Sequence, residues 1–374
     1  MITLLRKYTD FNNLQADDCE LPVPQGDTSS ARLATGRSAL WHLISRLPDA
    51  EKTTVLMPCY VAEGVLKPFL QANVEVQFYK LTEQLTPDVS DVGKILSQHN
   101  GPTLFVLIHY FGYSGWTPSL RSILSGENAY ILEDFAHAPF VKDDDGRYLA
   151  EQADLALYSF NKIIPVGDGA LLVSCYDDID VSLTETDYPP LPTQALNAFE
   201  KHLKACRDLY ESKSMTEAKI HLQHLSDWYE AYYHFINTQI DVHVQSDQSR
   251  QIESIFPYGA LIEQRLANSK MVHENLQSRF VTLLHTEFSE KNVPFGLPAR
   301  VKNIERQKFL DFMFQEGILL STLEDKWDFR PENEQSRYSF EKDFIADHVL
   351  IPVSEFISKE KMKYMINIMN SFEA

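Results

Sequence analysis

Short apolar runs alternate with amphipathic stretches through the first half of the chain. Thr53 to Met57, Val74 to Tyr79, Thr103 to Ile108, Ala129 to Leu132, Leu155 to Phe160 and Ala170 to Ser174 read as strands, several of them apolar at nearly every position. Between them, Glu63 to Gln71, Val89 to Gln98 and Pro118 to Leu124 space their apolar residues as helices do. Strands apolar on both faces and separated by helices predict a mostly parallel sheet covered on both sides, an α/β architecture. Ahead of them, Thr35 to Ile44 opens on a Gly-x-Ser turn and runs on as an apolar helix that Pro48-Asp49 ends. Residues 1 to 30, with Pro22, Pro24 and Gly26, show no period and read as a mostly irregular arm.

The texture changes beyond Ser174. Residues 177 to 250 hold the cluster Tyr188-Pro189-Pro190-Leu191-Pro192, then a long helical stretch rich in Tyr, His and Glu. Tyr258 to Phe288 reads as one long helix, and the remainder mixes helices at Glu305 to Glu316 and Ser358 to Phe372 with short strands near Ile318 and Val349. The expected division is a large domain over 1–250, of which 177–250 is a largely helical extension, and a smaller α+β C-terminal domain over 251–374. A length of 374 residues fits two domains of roughly 100–200 residues.

Charge narrows the partners. With 34 basic and 53 acidic residues the net charge is −19, and no stretch concentrates Lys or Arg. Nucleic acid and anionic membrane surfaces are therefore not expected ligands. No apolar run approaches the ~18 residues of a spanning helix. Cys19, Cys59, Cys175 and Cys206 form no C-x-x-C pair, so they read as free thiols of a reducing compartment, and a cytoplasmic location is expected. His221 and His224 stand three apart with no paired acid, so no metal is expected. Tyr229, Tyr232, Tyr233 and Phe235 sit at mixed helical spacing and read as packing residues.

In a parallel sheet, ligands bind beyond the carboxyl ends of the strands. The polar residues directly after the strand runs are Tyr60, His109, Asp134 with His137, and Ser159 with Lys162. A lysine on a short turn between two apolar strands has its neutral, nucleophilic amine favoured. A carboxylate emerging at the same edge, as Asp134 would, can keep a pyridine nitrogen protonated. Gly36-Arg37-Ser38 opens a helix whose free N–H groups suit an anion. Helix start, Asp, then Ser-x-x-Lys followed by a Gly turn at Gly167 and Gly169 together point to pyridoxal 5′-phosphate.

These segments resemble the DegT/DnrJ/EryC1/StrS family of sugar aminotransferases, of the aspartate aminotransferase-like fold. The resemblance runs from about Thr35 to Ser174 and resumes at His348-Val349-Leu350-Ile351-Pro352. It implies a Schiff-base lysine at Lys162, a ring-nitrogen partner at Asp134 and an aromatic over the ring at Tyr60. It also implies His137 near the ring hydroxyl and phosphate contacts from Gly36, Arg37, Ser38 and Ser159. The implied activity is amino transfer from an amino acid donor to a nucleotide-linked keto sugar, for amino-sugar or polysaccharide synthesis, by a homodimer with shared active sites. Two alternatives keep the fold: another pyridoxal phosphate reaction, elimination or lysis, and a non-catalytic regulatory relative. If a nucleotide diphosphate binds to so acidic a chain, basic residues such as Arg37, Lys326 and Arg337 are expected to cluster at the pocket.

Overall fold

The computed structural model describes residues 1–3, 14–99, 101–125, 129–183, 188–238, 240–323 and 336–373. Along the chain come β1 (Ile2–Thr3), β2 (Ser29–Leu33), α1 (Gly36–Ile44), β3 (Thr54–Pro58), α2 (Glu63–Gln71), β4 (Glu75–Tyr79), α3 (Val89–Gln98) and β5 (Thr103–Ile108). Then follow α4 (Pro118–Leu124), β6 (Ala129–Asp134), β7 (Leu155–Ser159), β8 (Ala170–Ser174), α5 (Thr193–Glu211), α6 (Met215–Thr238), α7 (Asp247–Ser254) and α8 (Tyr258–Asn275). The last elements are β9 (Val281–Leu283), β10 (Leu297–Val301), α9 (Arg306–Gln315), β11 (Ile318–Leu319), α10 (Ser339–Asp347), β12 (His348–Ile351) and α11 (Lys359–Ser371).

The main sheet has seven strands in the order β2-β8-β7-β6-β5-β3-β4. From β7 to β4 every neighbouring pair is parallel, while β8 runs antiparallel to both β7 and β2. The central strands β3, β5, β7 and β8 are buried at every residue, as helices on both faces require. Because β8 is reversed, its first residue lies at the same edge as the last residues of its neighbours: Leu33 pairs with Ala170, and Ala170 with Ser159. Ile108 and Asp134 are paired at that edge too. One rim therefore collects the ends of β2, β3, β5, β6 and β7 and the Gly turn before β8.

A second, antiparallel sheet runs β12-β10-β9, and β1 pairs in parallel with β11. Three expectations change here. Ser29–Leu33, inside and just after the predicted arm, is a strand on the sheet edge. The long helix expected to reach Phe288 stops at Asn275, where Leu276 turns extended and the strand β9 follows. The helical region after residue 177 is a hairpin of α5 and α6 broken at Ser212-Lys213-Ser214. There the Ser214 hydroxyl accepts the Glu217 N–H (3.2 Å), and the Glu217 carboxylate accepts the N–H of Lys213 (2.9 Å), so the new helix start is satisfied from both sides.

Candidate active site

A cavity of about 590 Å³ opens at the carboxyl rim of the main sheet. Seven of the eight residues singled out by the sequence line it: Gly36, Arg37, Tyr60, Asp134, His137, Ser159 and Lys162. Ser38 does not. Its N–H is taken by the Thr35 hydroxyl (3.0 Å) and its own hydroxyl donates to the Asp241 carbonyl (2.8 Å), which fixes it behind the wall. That bond joins α1 to the segment after α6.

Lys162 closes a single helical turn after β7, and its Nζ lies 3.3 Å from Nε2 of His137. The His137 ring is held flat between Phe111 (centroids 5.6 Å apart) and Phe295 (4.6 Å). Phe111 adopts φ 56° and Gly112 φ 100°; a Cβ on Gly112 would stand 2.3 Å from the Val293 carbonyl oxygen, so only glycine allows this close approach.

Asp134 ends β6 almost fully buried. Burial pushes its pKa above the ordinary carboxylate value, against the opposing pull of Lys162 and the Ala136 N–H. Ala136 donates to Oδ1 at 2.8 Å, and no hydrogen bond reaches Oδ2 from the described residues. Beside it, His109 accepts the Gly115 N–H at Nδ1 (3.0 Å), so its proton sits on Nε2 and is donated to Glu133 (3.0 Å). Glu133 also accepts from the Trp116 indole (2.6 Å), and the His109 ring stacks on Phe135. These contacts lock the ends of β5 and β6 under the site.

At the far side, Thr35 caps α1. Of the first helical N–H groups, that of Ser38 goes to Thr35 Oγ1 and that of Ala39 to the Thr35 carbonyl, while those of Gly36 and Arg37 have no partner within the helix. The Gly turn braces this start: Gly169, at φ 126°, donates its N–H to the Ala34 carbonyl (2.6 Å). Next to it the fully buried Asp168 accepts from both the N–H and the hydroxyl of Ser246, tying the turn to the cap of α7.

The Arg37 guanidinium lies 4.8 Å over the Tyr233 ring and donates to Asn237. Arg337 is paired with Asp91 on α3 and takes no part in the lining, and Lys326 lies outside the described residues. The basic cluster expected at the pocket thus does not form between Arg37 and Arg337. Tyr60 packs edge-on to Phe344 and donates its hydroxyl to the Leu323 carbonyl (2.8 Å), linking the site to the C-terminal elements.

Sequence reasoning missed one whole wall. Phe199, His202 and Leu203 of α5 with Leu222, Leu225, Tyr229 and Tyr232 of α6 line the outer cavity. On α6 these fall at i, i+3, i+7 and i+10, a stripe on one helical face that an aromatic-rich stretch already displays in sequence.

The profile of the DegT/DnrJ/EryC1/StrS aminotransferase family matches residues 26–221, more than half of the chain. The chain belongs to this family. Among solved structures, the sugar aminotransferase CalS13 from Micromonospora echinospora aligns at 17% identity and TM-score 0.60, over 92% of this chain and 87% of its own. The aminotransferase TlmJ from Streptoalloteichus hindustanus aligns at 14% identity and TM-score 0.63, over 92% and 85%. DesI, solved in the presence of its TDP-sugar product, aligns at 14% and TM-score 0.60, over 91% and 79%. At these identities the likeness is one of fold, and it extends through the C-terminal elements beyond the profile match. No curated protein matches the chain in sequence. Pyridoxal phosphate is the cofactor expected of a DegT/DnrJ/EryC1/StrS aminotransferase.

Proposed function

We infer that this cavity binds pyridoxal phosphate and that the protein moves an amino group from an amino acid such as glutamate to the keto group of a nucleotide-linked sugar. The observation carrying the cofactor reading is the pairing of opposite needs in one cavity. Asp134 is a buried carboxylate with no cation within 4.0 Å among the described residues, and the start of α1 offers unpaired N–H groups. A ligand with a cationic ring at one end and a phosphate at the other satisfies both.

Bound there, pyridoxal phosphate supplies an electron sink for taking and returning a proton at the carbon that bears the transferred nitrogen. Lys162 Nζ is the group assigned to carry the cofactor and to move that proton. Asp134 holds the proton on the ring nitrogen, His137 serves the ring hydroxyl, and Tyr60 shields the ring from the side of β3. Gly36, Arg37 and Ser159 face the phosphate. We assign these roles to a homodimer in the cytoplasm, and the residues split into a cofactor domain over 1–250 and a smaller domain over 251–374.

The sugar reading is supported by the family and by the aromatic wall of α5 and α6, since apolar ring faces pack well against aromatic side chains. The same wall favours a second acceptor class, a keto compound without a diphosphate, because Arg37 and Lys162 are the only Lys or Arg residues among the described lining. The test is a half-reaction. Protein loaded with pyridoxal phosphate and given glutamate should shift its absorbance to the amine form, and a keto acceptor should reverse the shift. No shift with any amino donor contradicts transamination; reversal by a neutral keto compound but not by a nucleotide-linked keto sugar selects the second acceptor class.

A further inference from the structure

Tyr232 stands out on the cavity wall. It is 1% exposed, lines the cavity, and its hydroxyl has no hydrogen-bond partner among the described residues. Leaving a buried phenol without a partner destabilises the folded chain, so its retention on a cavity wall needs a reason other than packing. The ring itself is well packed, 4.7 Å from Phe199 and in the cluster that contains Ala34, the residue before the α1 cap. The polar groups that face the hydroxyl are Tyr229, Arg37, Asp168 and the Asn161 side chain, none of them in full hydrogen-bond geometry with it. Asp168 is committed to Ser246, and Asn161 already accepts the Ser159 hydroxyl at 3.0 Å. So the hydroxyl is set between the start of α1 and the Ser159–Lys162 turn, with burial holding the phenol protonated.

Resting on the pyridoxal phosphate reading above, we propose that Tyr232 is a positioning residue for the cofactor, its hydroxyl donating a hydrogen bond to the phosphate at the α1 N-terminus. The phosphate has three strong acceptor oxygens, and the start of α1 supplies two N–H groups not used by the helix. Tyr232 adds a donor from a different element. The α5–α6 hairpin is then part of the cofactor site in the same chain, and cofactor binding fastens it to the sheet.

Tyr232→Phe tests this with two readouts besides activity. The variant keeps the ring and removes the orphan hydroxyl, so the cofactor-free protein should melt at the wild-type temperature or above. Its affinity for pyridoxal phosphate, followed by absorbance titration, should fall by about tenfold or more, while its affinity for pyridoxal, which lacks the phosphate, should stay within about twofold. Equal loss for both aldehydes, or no loss for either, overturns the proposal. A wild-type protein that binds neither aldehyde overturns the cofactor reading itself, a result distinct from a Tyr232→Phe protein that binds pyridoxal phosphate as tightly as wild type.

Discussion

Ionising Asp134 in the folded chain means holding a carboxylate at 5% exposure with one backbone N–H donor. Its folded pKa lies above the unfolded one, chiefly through desolvation, so the folded chain binds this proton more tightly. The stability it contributes is complete below the unfolded value near ~3.9 and is lost as the pH rises through the folded pKa. Asp134→Asn removes that loss. The cofactor-free variant should melt above wild type at pH 7, with the gap narrowing as the pH is lowered toward ~4, whereas amino transfer should drop by about 10²-fold or more. Calorimetry at several pH values and the half-reaction rate check the two halves; a variant that melts lower at pH 7 contradicts the account. That Asp134 and Lys162 stand at the cavity was legible because each lies within a few residues of the end of an apolar run, and the end of a strand in a parallel sheet is a known edge. That Ser38 stands outside the lining was not legible, for the opposite reason. What its hydroxyl bonds to, the Asp241 carbonyl, lies 203 positions away and leaves no local trace.

At the scale of elements, the strands apolar on both faces were readable and the ones with mixed sequence were not. Ser-Ser-Ala-Arg-Leu of β2 has few strong strand formers, and Leu-Pro-Ala-Arg-Val of β10 carries Pro298 inside a three-stranded sheet. Both exist because a neighbour pairs with them: β8 on one side, β9 and β12 on the other. The α5–α6 hairpin was legible as helix but not as an active-site wall, since its placement over the rim depends on tertiary contacts such as the Arg37–Asn237 hydrogen bond. The helix start at the site depends on one side chain. Thr35→Ala deletes the α1 cap and should cost about 1 kcal/mol in urea unfolding. It should also weaken pyridoxal phosphate binding several-fold, because a frayed start no longer presents fixed N–H groups. Unchanged affinity in the variant would separate α1 from the anion site.

For the molecule as a whole, a net charge of −19 sets what approaches the surface and leaves the cavity free to follow its own chemistry. The sum of charges led to the expectation of a cluster of Arg37 with Arg337 that the fold does not make. A sum over the sequence carries no geometry: Arg337 spends its charge on Asp91 of α3, and Arg37 spends its own over Tyr233. The family match over 26–221 spans the segment from the start of α1 through Lys162, and the fold likeness covers more than nine-tenths of the chain. The central claim is that this rim holds pyridoxal phosphate through Lys162. Borohydride reduction of the loaded protein, followed by peptide mass mapping, tests it most directly. One phosphopyridoxyl group on the peptide containing Lys162, absent from Lys162→Ala, is the predicted result. An adduct that persists in Lys162→Ala, or no adduct in the wild-type protein, would contradict it.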